Sequence, residues 1–148
     1  MALWQYTFII IPDEFTDCEI TPDEFGGYET APFWFHANAS EDILNEIENI
    51  LPLGESWNEK LTVYGNTDSN CIEIFRDGNG TIDSVSFRID FYSDYDHILE
   101  EFVTFCRSND FAIIDEKLNV IDLDTDRIKK IIENSPQKAL YEKLATNE

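Results

Sequence analysis

The first 59 residues contain no lysine and no arginine, and the whole chain of 148 has only 10 basic residues. Binding of phosphate backbones requires clustered Lys and Arg. The densest basic group, Arg127, Lys129 and Lys130, follows Asp122, Asp124 and Asp126. Nucleic acid is therefore excluded as a direct ligand. Cysteine is scarce as well: Cys18, Cys71 and Cys106 are odd in number and far apart. That spacing fits neither a disulfide framework nor a zinc site. No run approaches the ~20 apolar residues of a membrane span. Phe8–Ile11 is apolar, yet no positive region precedes it and acids follow at once, so it does not read as a secretory signal. The expectation is a soluble, cytoplasmic chain with no membrane partner. On that expectation Asn38-Ala39-Ser40 and Asn79-Gly80-Thr81 have no meaning as glycosylation sequons.

What the chain does have is apolar material and negative charge. At 43% hydrophobic and 14% aromatic, a single domain over residues 1–148 can bury a core, and disorder is disfavoured. The net charge is −21. Residues 1–59 hold 13 acids and no base; residues 60–148 hold 18 acids against 10 bases, a net of −8. Self-repulsion of this size opposes folding. Solubility is one reason to keep it; complementarity to a basic partner is another. A 59-residue run without one base is more than solubility requires.

Hydrophobic periodicity supplies the elements. Leu3–Ile11 reads as a strand ended by Pro12. Residues 13–38 are irregular, with seven acids interleaved with Phe15, Phe25, Tyr28, Phe33, Trp34 and Phe35, and Thr30–His36 is a candidate short strand. Ser40 is placed to cap a helix carrying Ile43, Leu44, Ile47, Ile50 and Leu51 at helical spacing, stopped by Pro52 and Gly54. Residues 59–65, 71–76 and 81–92 read as a β-meander, with a hairpin turn at Asp77-Gly78-Asn79-Gly80. In the last strand Val85, Phe87, Ile89 and Phe91 alternate with Ser84, Ser86, Arg88 and Asp90. Ser93 then caps a helix over 94–108 with an apolar stripe of Tyr95, Ile98, Leu99, Phe102, Phe105 and Cys106. Phe111–Ile114 and Leu118–Ile121 are short strands. A helix capped by Asp124 or Thr125 follows, and Ser135-Pro136 opens a terminal helix. The short links imply an α+β fold: an antiparallel sheet with a central meander and helices packed mainly on one face.

No motif marks catalysis. Asp77–Asp83 resembles the middle of an EF-hand loop, but aligned on Gly80 the first and twelfth ligand positions fall on Phe75 and Ser86, and the flanks are strands. Asp94, His97 and Glu101 lie along one helix flank and could ligate a metal; a solvated charged flank is the simpler reading. No Gly-x-Ser-x-Gly elbow and no phosphate-cradling glycine loop occurs. Arg88 and Asp90 share a strand face, which reads either as charge pairing across the sheet or as part of a binding surface. Catalytic residues, metal ligands and cofactor are therefore expected to be none.

In size, charge and lack of catalytic motifs, the chain resembles bacterial immunity proteins made against polymorphic or contact-delivered toxins. The resemblance covers the whole chain in character and transfers no site residues. It implies a stand-alone inhibitor that neutralises a basic, nuclease-type toxin domain by covering its active site. Alternatives are a phage-type nucleic-acid mimic that inhibits a DNA-binding protein, and a divergent enzyme with a site near His97. The residues themselves nominate the acidic and aromatic segment as the partner-binding surface: Asp13, Glu14, Asp23, Glu24, Tyr28 and Trp34; the alternative is that Phe15, Phe25 and Trp34 pin the loop to its own core. Oligomeric state is not legible.

Overall fold

A computed structural model describes residues 4–22, 28–37 and 41–146. Six strands form one antiparallel sheet: β1 (Gln5–Pro12), β4 (Leu61–Gly65), β5 (Cys71–Arg76), β6 (Ile82–Asp90), β7 (Phe111–Ile114) and β8 (Val120–Ile121). A separate two-residue ladder joins β2 (Thr21–Pro22) to β3 (Tyr28–Glu29). The helices are α1 (Ala31–Ala37), α2 (Glu41–Asn45), α3 (Asp96–Ser108), α4 (Thr125–Glu133) and α5 (Pro136–Thr146).

The spatial order is β4-β5-β6-β1-β7-β8. The meander β4-β5-β6 is consecutive and antiparallel, as its short turns require. The first strand of the chain then slots in beside β6, with Phe8 opposite Phe87, and takes β7 on its other side, with Ile10 opposite Ile113.

Strand alternation divides the sheet into two faces. One face presents Tyr6, Phe8 and Ile10 of β1, Ile72 and Ile74 of β5, and Val85, Phe87 and Ile89 of β6. The helices cover it with Trp34, Leu44, Ile47, Leu99, Phe102, Ile128 and Ile132, all buried. Phe102 lies against Phe87 with ring centroids 4.0 Å apart. This is the expected architecture, with α3 on the face bearing Phe87 and Ile89.

Several local expectations need correction. Thr30–His36 is not a strand. Thr30 opens α1, its carbonyl accepting the Phe33 and Trp34 amides, and Pro32 falls in the first turn, where a missing N–H costs little. The helix expected over 41–51 is shorter: α2 stops at Asn45 and a 3₁₀ turn, Glu46–Asn49, continues it. Ser40 lies outside the described residues. Ser93 does not cap α3, which starts at Asp96; its hydroxyl instead bonds the Asp90 carbonyl and accepts the Asn70 amide. Asp124 does cap α4, accepting the amides of Asp126 and Arg127. Ser135 Oγ accepts the Lys138 amide, as a cap of α5 should.

Candidate functional site

The acidic N-terminal segment is built around one aromatic stack. After β1 the chain makes a 3₁₀ turn, Asp13–Phe15, held by the Asp13 amide donating to the Asp110 carbonyl (2.9 Å). Phe15 turns inward and stacks on Phe33 at 5.2 Å. With that ring anchored, Asp13, Glu14, Asp17 and Glu19 are left in solvent. They meet no cation among the described residues. Glu29, Asp42, Glu46, Glu48, Glu55 and Glu59 are exposed too. Every described carboxylate side chain in residues 1–59 therefore faces water.

Four of the ten bases of the second region have carboxylate partners of their own. Arg88 pairs with Glu73, Arg127 with Asp122, Lys129 with Asp96, and Lys138 with Glu133. Lys138 and the Tyr95 hydroxyl hold the Glu133 carboxyl below the usual range, against a smaller opposing push from burial.

The nominated site residues divide. Asp13 and Glu14 sit together on the exposed turn. Tyr28 is partly exposed, paired with Pro22 in the small ladder. Asp23 and Glu24 lie outside the described residues. Trp34 is not a surface residue: it is 2% exposed and packs edge-on against Phe111, centroids 5.3 Å apart. A helix turns each successive side chain by about 100°, so its neighbour Phe35 points outward, 67% exposed. Reading this segment as a strand concealed that. The larger omission is Trp57, 71% exposed; its setting, inside the polar run Glu55-Ser56-Trp57-Asn58-Glu59-Lys60, was the available signal.

The second face of the sheet has a polar centre between two apolar margins. Ile11, Ala112 and Ile114, with Phe15 and Phe33, form one margin; Leu61, Val63, Cys71 and Phe75 form the other. Between them run Thr7, Ser84, Ser86 and Arg88, half-buried, and Glu73, buried. Arg88 Nη1 reaches Glu73 Oε1 at 2.7 Å across the sheet, while its buried Nε meets no acceptor. Arg88 thus pairs across the strands and not with Asp90. Asp90 accepts the Ser69 hydroxyl and the Tyr92 amide. Burial and the neighbouring Glu73 push the Cys71 thiol up to about 11. It is a poor nucleophile there.

Elsewhere the chemistry is thin. His97 Nε2 lies 3.1 Å from Glu101 beside an open depression of about 260 Å³ walled by one helix. The Asp77 carboxylate accepts the amides of Asn79 and Thr81, closing the hairpin turn. Among the described residues no group of three or more His, Cys, Asp or Glu is placed to hold a metal. No helix among them is long and apolar enough to cross a membrane.

The chain matches no protein-family model, no curated protein and no solved structure.

Proposed function

We propose that this chain is an acidic inhibitor protein of the immunity type, which neutralises a basic, nuclease-type toxin by covering its active site. The observation that carries this reading is the exposure of every described acid in residues 1–59, in a region without a single Lys or Arg. Such a surface attracts a basic protein over distances up to the Debye length, ~8 Å at physiological ionic strength. The neutralising interaction is steric: an inhibitor needs a rigid, charged surface and no catalytic group of its own.

Affinity capture from the native cells, followed by stopped-flow association, tests the reading. The expected partner is a basic protein that associates fast at low salt and more slowly as salt rises. Reversing Asp13, Glu14, Asp17 and Glu19 to Lys slows association by about tenfold or more and flattens its salt dependence. All four are exposed, so the variant folds. An unchanged rate removes this segment as the steering surface. Turnover of a small substrate by the isolated protein overturns the inhibitor reading itself.

A further inference from the structure

After the 3₁₀ turn at Glu46–Asn49 the chain doubles back along the outer edge of the sheet. The Gly54 amide donates to the Val63 carbonyl (2.8 Å) and the Gly65 amide to the Pro52 carbonyl (2.7 Å). A Cβ on Gly54 would collide with the Gly65 carbonyl, and one on Gly65, at φ +88°, with the Asn70 carbonyl. Only glycine permits so close an approach, and it fixes the two strands of backbone relative to each other.

Beyond this clamp the chains diverge and leave a groove of about 470 Å³. Glu55, Ser56 and Trp57 line one side; Gly65, Asn66 and Thr67 line the other. Both walls are braced. Ser56 Oγ donates to the Asn58 carbonyl (2.6 Å), and the Thr67 carbonyl accepts Gln5 Nε2 (2.9 Å). The Trp57 indole touches the Phe75 ring at 65° and 6.1 Å and is otherwise in solvent.

We propose that this groove receives an arginine or lysine side chain of the basic partner, with the Trp57 ring as the platform and Glu55 as the counter-charge. The proposal rests on the inhibitor reading and names its anchoring site. An indole face attracts a cation within ~6 Å of the ring centre, and tryptophan is the residue most enriched among those that dominate binding energy. Exposed Glu59 and Asp68 flank the groove in sequence, with exposed Lys60 as the one base beside them, so its neighbourhood stays acidic on balance. A cationic occupant gains from that balance, and an acidic one does not.

Two experiments separate the groove from the reading beneath it. In the first, the ¹⁵N-labelled full chain is titrated with the peptide Gly-Arg-Gly-Arg-Gly and with its citrulline analogue. The arginine peptide shifts the Trp57 indole N–H and the amides of Asn66 and Thr67; the neutral analogue does not. Equal shifts with both peptides, or shifts confined to residues 13–19, overturn the groove. In the second, the captured partner is used. Trp57→Ala speeds dissociation about tenfold, and Trp57→Phe restores part of the loss. If the partner binds Trp57→Ala as tightly as the parent, the groove fails and the inhibitor reading stands. If no basic partner is captured although the peptide fills the groove, the inhibitor reading fails and the cation site stands.

Discussion

On the helix side of the sheet β6 presents Val85, Phe87 and Ile89, all at most 3% exposed; on the other side it presents Ser84, Ser86, Arg88 and Asp90, all half-buried. The same strand thus serves a closed core and an open polar strip. The first face is specified by apolar area, which is non-directional and roughly additive. The second is specified by pairing, above all Glu73 with Arg88. A face built by area tolerates change of shape and resists loss of volume. A face built by pairing tolerates loss of both partners and resists loss of one.

Truncation on the closed face gives the largest effect. Phe102→Ala empties the contact with Phe87 and costs about 3–5 kcal/mol in chemical denaturation. A loss under about 1 kcal/mol would mean that α3 is not packed on this face. The next effect belongs to the strip. Glu73→Ala leaves the Arg88 guanidinium without its carboxylate and costs about 1–3 kcal/mol, tempered by the 24% exposure of the arginine. Replacing both residues by leucine recovers most of that. A double replacement as damaging as the single one would show that packing, not pairing, holds the strip.

The smallest effect lies at the end of the strip and depends on pH. Where β7 ends, the Glu116 carboxylate takes over and accepts the Thr7 amide (3.4 Å). Burial pushes the Glu116 carboxyl above the ordinary range, the Thr7 bond pulls it back, and Asp115 adds to the rise. An acid with a raised folded pKa holds its proton more tightly in the folded state. Its stabilising contribution is therefore present below the ordinary glutamate value and lost as pH rises through the raised one. Glu116→Gln keeps the acceptor and removes the titration. Its melting temperature exceeds that of the parent above this window, and the advantage vanishes below it. A pH-independent difference would place the carboxylate in water.

The meander, the helix-covered face and the caps at Asp124 and Ser135 were legible because each rests on local chemistry: alternation, turn glycines and short polar side chains. The position of β1 was not. Nothing in Tyr6–Ile11 says whether its partner is β4, β6 or β7, since any apolar alternating strand offers the same face. The role of Trp34, surface or core, stayed open for a related reason. An aromatic in an acidic segment looks like surface until the α1 turn points it at Phe111. Of the candidate site, the acids were legible because a carboxylate without a partner stays in water. The groove beside Trp57 was hidden, because it depends on residues 55–57 meeting residues 65–67.

The placement of β1 has a consequence for the chain as it leaves the ribosome. This apolar strand emerges well before its partners, β6 and β7, which begin at residues 82 and 111. The middle of the sheet cannot close until the chain has been made through β7, whose last residue is Ile114. Long sequence separation of this kind slows folding, and it leaves Tyr6–Ile11 as an unpaired strand until β6 has been made, the type of segment that pairs with other chains. The acids that follow directly, from Asp13 onward, keep nascent copies apart by mutual repulsion during that interval. The same charges thereby act before the protein has a fold as well as after.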